Sequence, residues 1–280
     1  MEYVGSVNRF VLFCGAARPL LELRRHSLSG FAESLASSGL SEATIHKHLR
    51  HLQVFLNWAY DEEYLPRLLR VPKPAVVRKT PMVYSVEELD LIESTLDASL
   101  RTASSDSRRL AAQTHLRVFW IARFALLRAG EILTLPLSAL DLGSKVVRVR
   151  AVPELLWTPK AKQERTIPLH SILLRFISED LRRRSDAEVW WLDDGQGKRY
   201  YSAPHSLSQA FRRLLMRVGL ADGRKPVHAF RATGITNMLG AGGDLHFVQR
   251  IAGHSNPQTT LNHYAQGEAW DVRETVELLE

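Results

Sequence analysis

A single cysteine, Cys14, stands in a chain of 280 residues, which excludes an internal disulfide and any zinc site built on paired thiolates. The 11 histidines are scattered from His26 to His263 without metal-ligand spacing, so no metal is expected. No cofactor is expected either: Gly195-Gln-Gly-Lys198 lacks the interval and the Ser/Thr of a phosphate-binding loop. Long hydrophobic runs are missing too. Phe119 to Leu127 is broken by Arg123 and is too short for a bilayer, and the N-terminus lacks a basic segment followed by an apolar run and a cleavage site. The expectation is a cytoplasmic chain with no membrane partner. Acidic pairs beside a glycine loop are equally scarce. Asp193-Asp194 beside Gly195 reads as a turn, which leaves a metal-dependent nuclease without its carboxylates. No repeat of 20 to 50 residues is visible.

What is present is positive charge. Lys and Arg number 37 against 30 Asp and Glu, for a net charge of +7 and a pI near 9.7. Such an excess favours a polyanionic partner. Only 8 of the cations are lysine, and guanidinium suits bidentate contact with phosphate. The remaining composition, 45 % hydrophobic and 24 % charged, is that of a folded globular protein.

Periodicity divides the chain. From Thr44 to Tyr60 the residues Ile45, Leu49, Leu52, Leu56 and Ala59 form one apolar helical stripe behind a Ser41 N-cap. His46, Lys47 and Arg50 lie on the opposite face and are candidates for contact with a phosphate backbone. With short helices around Phe10 to Cys14 and Leu28 to Leu35, residues 1–70 read as a small helical bundle. Residues 71–82 hold prolines and cations without amphipathic period, the composition of a linker. A second domain, 83–280, opens on a Ser85 N-cap with acidic residues in its first turn. It continues through a helix over Leu110 to Leu127. Lys145 to Val152 and Glu164 to Leu169 read as a β-hairpin around a polar turn at 160–163. Helices follow over Ser171 to Arg184 and Ser206 to Val218. The fold class is mainly α with a small β-hairpin or sheet.

Three clusters are left over from packing: Leu127-Arg-Ala-Gly-Glu131, His228-Ala-Phe-Arg231, and Ala252-Gly-His-Ser255 followed by His263-Tyr264. Together with Lys160 on the hairpin turn and the ending Arg165-Thr-Ile-Pro-Leu169, this ordered set resembles the tyrosine recombinase (phage integrase) family, in its two-domain Xer-like form. The resemblance extends over essentially the whole chain, with residues 1–70 similar to the family's DNA-clamping domain. It implies catalytic roles for Arg128, Lys160, His228, Arg231, His254 and Tyr264, a supporting role for Glu131, and cutting and rejoining of double-stranded DNA by a homo-oligomer, a tetrameric synapse on two sites.

The chemistry is consistent with those residue types. Attack on a phosphodiester builds negative charge on non-bridging oxygens, which Arg128 and Arg231 can meet with forked hydrogen bonds, aided by His254 as a donor. Tyr264, with an unperturbed phenol pKa near 10, is the expected nucleophile, and His228 the group that accepts its proton or orients the phosphate. Lys160, preferred over Lys162, is expected to protonate the leaving 5′ oxygen. The covalent 3′-phosphotyrosyl link would conserve the broken bond's energy, so that neither ATP nor a metal is needed. His263 reads as an incidental neighbour. Two alternatives keep part of this set: supercoil relaxation of the type IB topoisomerase kind, and a non-catalytic DNA-binding relative. After Tyr264, Trp270, Val272, Val276 and Leu279 form an imperfect apolar stripe, expected to be a tail helix.

Overall fold

The computed structural model describes residues 2–72, 81–160, 163–220 and 222–264. The chain separates into two compact units, Met1–Lys79 and Thr80–Glu280. Most of the expected linker, residues 73–80, and the whole stretch after Tyr264 with its expected tail helix lie outside the described residues, as does Lys162.

The first unit is three helices, α1 (Glu2–Cys14), α2 (Arg25–Ala36) and α3 (Glu42–Asp61). Ser41 caps α3 through its hydroxyl, which accepts from the Thr44 amide, and the apolar stripe of α3 is buried as its spacing requires. Phe10, Leu28, Phe31, Leu49, Leu52 and Leu56 meet in one core. Gln53 fastens the end of the unit: its Nε2 donates to the Leu69 carbonyl at 3.0 Å, and its Oε1 accepts from the Val71 amide at 2.8 Å. Arg50 is exposed on α3, and His46 and Lys47 are half-buried beside it.

The second unit begins with α4 (Val86–Arg101), where Ser85 and Glu88 exchange the two hydrogen bonds of a capping box. Next comes α5 (Asp106–Phe124), capped by Ser105. This helix stops three residues short of the sequence expectation. Ala125 ends it and Leu126 turns into the left-handed region at φ 56°, because another helix crosses at that point. That helix is α9 (Pro226–Gly240). Its Gly234 lies so close that a Cβ there would stand 2.0 Å from the Arg123 carbonyl oxygen and 2.6 Å from Leu126 Cδ2. The break frees Leu127 and Arg128 to enter α6 (Ala129–Leu133).

A three-stranded antiparallel sheet follows, which adds one short strand to the expected hairpin: β1 (Leu140–Asp141), β2 (Val146–Val149) and β3 (Arg165–Pro168), in that order. Strand β1 has two residues, too few to show a period. Val147 pairs with Ile167 and Val149 with Arg165, which buries Val147, Val149 and Ile167 and directs the next residues outward. Helices α7 (Ser171–Leu181), α8 (Pro204–Met216), α10 (Leu245–Ala252) and α11 (Pro257–Tyr264) complete the unit. The fold is mostly helical with a small antiparallel sheet, around a core in which Phe119, Phe211, Phe230 and Trp191 are fully buried. The Asp193 loop is the expected turn: its Oδ1 accepts from the amides of Gly195 and Gly197, and its Oδ2 from those of Val189 and Trp190.

Candidate active site

Arg128, Lys160, His228, Arg231 and His254 line one open pocket of about 570 Å³, although they come from the start of α6, the hairpin turn, the first two turns of α9 and the residue pair after α10. Pro226 at the first position of α9 fixes its entry, so that His228 and Arg231, three residues apart, fall on neighbouring positions of one face. Tyr264 closes α11, and its side chain lies outside the described set.

The end of α10 organises the cations. Gly253 adopts φ +67°, a left-handed C-cap, and the three carbonyls at the helix end are each taken by a different arginine. Arg165 Nε donates to Ile251 O at 2.7 Å, Arg231 Nη2 to Ala252 O at 2.6 Å, and Arg128 Nη2 to Gly253 O at 2.5 Å. These carbonyls have no partner within the helix and sit at the negative end of its dipole, so guanidinium groups are well placed there. Arg231 also donates through Nη1 to Leu126 O, and only 2 % of its surface is exposed. Burial and the nearby Arg128 push its pKa down, although a guanidinium remains charged at any working pH.

Glu131 is the anionic counterweight. Its side chain is 2 % exposed; one carboxylate oxygen accepts from Arg128 Nη1 at 2.9 Å and the other from the Arg128 amide at 2.8 Å. Arg165 grips the same carboxylate with both terminal nitrogens, at 2.9 and 2.7 Å. Burial alone would raise the Glu131 pKa, but the hydrogen bonds and charge of Arg165, with those of Arg128, hold it below the usual carboxylate range. The carboxyl is therefore an ionised brace that keeps Arg128 in place.

The histidines are held neutral. Burial, then Arg231 and Arg128, push His254 down to about 3. Its Nε2 is 2.9 Å from Arg231 Nη2 and its Nδ1 is 2.9 Å from Thr260 Oγ1. Since a guanidinium can only donate, Nε2 accepts and the ring proton sits on Nδ1. Between two cations the donor form of Nε2 is the costly one while this nitrogen faces Arg231. His228 keeps an exposed surface toward the pocket, while the protein packed around its other sides, Arg231, Lys225 and Arg128 lower its pKa. A neutral imidazole can accept a proton.

His263, expected as an incidental neighbour of Tyr264, packs against the pocket's His254. Only 5 % exposed, it stacks on His254 with ring centroids 6.2 Å apart and planes 13° from parallel, and its Nδ1 lies 3.3 Å from Thr236 Oγ1. Burial, Arg231 and His228 push it down to about 4. Sequence reasoning also missed Thr260 and Arg165. Thr260 carries no sequence signal, whereas the Arg-x-Ile-Pro-Leu ending of the hairpin marks Arg165. His46, Lys47 and Arg50 belong to the other unit. Among the described residues no group of three or more His, Cys, Asp or Glu is gathered as a metal site would need.

A helical unit with a small edge sheet and a cation-rich pocket, carried on a chain with a separate helical N-terminal unit, is the build of enzymes that cut and rejoin DNA through a tyrosine. More particularly, the phage integrase family model matches residues 90–269, well over half of the chain, and the protein belongs to that family: it is a tyrosine recombinase. Tyrosine recombinase XerD of Rhizobium meliloti is 24 % identical over 249 residues, covering 86 % of this chain and 76 % of that protein. Tyrosine recombinase XerA of Thermococcus onnurineus is 27 % identical over 241 residues, covering 85 % and 76 %. Two solved structures share the fold. XerH recombinase bound to its palindromic difH substrate superposes with a TM-score of 0.76 at 16 % identity, covering 99 % of this chain and 79 % of that one. The Tn1549 transposon integrase in complex with transposon right-end DNA gives 0.73 at 19 %, covering 99 % and 93 %.

Proposed function

We propose that the protein binds double-stranded DNA at defined sites and exchanges strands through a 3′-phosphotyrosyl link to Tyr264. Arg128 and Arg231 hold the scissile phosphate and offset the charge that grows on its oxygens. His228, neutral near pH 7, takes the phenol proton or orients the phosphate. Lys160 gives a proton to the 5′ oxygen as it leaves, and Glu131 keeps Arg128 in register. In the reverse direction a 5′ hydroxyl attacks the phosphotyrosyl bond, tyrosine leaves, and the same groups return the protons. The first unit, through His46, Lys47 and Arg50, holds the duplex backbone, and four copies on two sites form the synapse. Site-specific exchange is preferred over supercoil relaxation because the family and the relatives are integrases and recombinases.

The observation that carries this reading is the convergence of Arg128, Lys160, His228, Arg231 and His254 on one pocket; Tyr264 is the last residue of α11. A nicked suicide substrate, which loses the attacking 5′ end after cleavage, tests it: the wild-type chain should accumulate a covalent protein–DNA adduct. Tyr264→Phe should form none while binding the same DNA with nearly unchanged affinity, since only a hydroxyl is lost from a surface that binds through cations. Adducts persisting in Tyr264→Phe would overturn the assignment.

A further inference from the structure

The Arg-x-Ile-Pro-Leu ending of the hairpin is a motif that the proposed chemistry leaves without a task. Ile167, Pro168 and Leu169 belong to strand pairing and core, but Arg165 does not face the pocket that Arg128, His228 and Arg231 line. Its side chain is 6 % exposed and three of its five N–H groups are accounted for. Two fork onto Glu131 and the third reaches the Ile251 carbonyl. The guanidinium also lies against Gly253, where a Cβ would come within 3.0 Å of Arg165 Nη1 and 3.2 Å of Arg128 Nη1.

We infer that Arg165 is a positioning residue that acts on the scissile phosphate through Arg128. The path is short. Arg165 fixes both oxygens of Glu131; Glu131 fixes the backbone and one terminal nitrogen of Arg128; and the other terminal nitrogen of Arg128 is fixed by Gly253 O, two residues beyond the Ile251 carbonyl that Arg165 holds at the end of α10. Arg128 is therefore clamped from two directions, and Arg165 stands behind both. Lysine at 165 would preserve the charge but not the clamp, since one ammonium cannot present two parallel donors to the carboxylate and a third, divergent donor to a carbonyl. Strand β3 also begins five residues after Lys160, so the same residue ties the hairpin to the helix that precedes His254.

This inference rests on Arg128 being a phosphate contact, and the experiment separates the two claims. Single-turnover cleavage of the nicked substrate is measured for Arg165→Lys, Arg128→Lys and the double variant, with duplex affinity and thermal midpoint recorded on the same preparations. Arg165→Lys is expected to slow cleavage tenfold or more with affinity unchanged within threefold. In the Arg128→Lys background the same change should cost less than threefold, because its route of action is already gone. A residue that served stability alone would depress the rate equally in both backgrounds, and full additivity overturns the inference. If Arg128→Lys by itself leaves cleavage within threefold of wild type, the phosphate-contact reading falls first. Glu131→Gln, run through the same cycle, keeps the side chain's shape while removing the charge both arginines need. Should Arg165→Lys fail to fold, silence of Glu131→Gln in the Arg128→Lys background supports the path and additivity overturns it.

Discussion

A methyl group added at Gly253 would come within 3.0–3.2 Å of two guanidiniums. It would press on the guanidiniums of Arg165 and Arg128 in a backbone conformation at φ +67° that disfavours any side chain. Gly253→Ala is expected to cost about 1–2 kcal/mol of stability from the left-handed backbone and to slow cleavage by more than the loss of folded protein explains, as a urea midpoint and a cleavage rate on one preparation will show. Arg128→Lys and Arg231→Lys should each cut cleavage at least tenfold, about 1.4 kcal/mol in the barrier, with duplex binding largely kept; a smaller loss would mean that these arginines only bind DNA. Residues of this kind were legible in the sequence because phosphoryl transfer without carboxylate clusters asks for forked cations, and Arg128 and Arg231 stand in motifs. The residues that orient them were not. Thr260 lies against the ring nitrogen of His254 and His263 stacks on the same ring, tasks that demand no recognisable spacing, while Arg165 stands in a motif that gives no hint of the glutamate it braces.

Helix starts were readable for a local reason: Ser41 and Ser85 cap helices through bonds to residues three positions on, so sequence and structure share the same short range. The end of α5 was not, because its cause lies more than a hundred residues away in α9. At that crossing Gly234→Ala should destabilise the second unit by about 1–3 kcal/mol, as overpacking of a tight core does, since the Arg123 carbonyl that a Cβ would meet is backbone and cannot rotate aside. The thermal midpoint should fall while Gly240→Ala, at the open end of the same helix where a Cβ meets nothing, leaves it nearly unmoved. Equal shifts at the two positions would refute close approach as the cause. The sheet was legible where alternation ran for four residues or more and illegible at β1, whose two residues pair with β2 but are too few to show a period.

Across the whole molecule, acid and salt act on different groups. His254, pushed to about 3, and His115 and His263, pushed to about 4, all titrate below an unfolded histidine. For His115 the cause is burial, with Arg213 adding to it. Unfolding between about pH 5 and 6.5 therefore takes up protons, about one per histidine, and stability should decline as the pH falls through that window; midpoints measured at pH 7 and pH 5 check the sign, and a higher midpoint at pH 5 would contradict it. Salt should loosen the duplex instead, by a factor on the order of 10³ between about 50 and 200 mM if six or more phosphates are contacted, and cleavage is expected to survive a chelator. The basic charge and the separate N-terminal bundle were plain from composition and period alone.

The order in which the chain is made follows from where its cores close. Every residue of the first core lies between Phe10 and Val71, so this unit can complete its packing early in synthesis, while the rest is still being added. The arginine pocket has the opposite timing. Arg128 is translated first, but the carbonyls that hold it, with Arg165 and Arg231, arrive more than a hundred residues later, with residues 251–253, and Thr260 and His263 follow. A nascent or prematurely terminated chain thus acquires its first folded unit long before the pocket is assembled. The pocket therefore waits for residues made more than a hundred positions after Arg128.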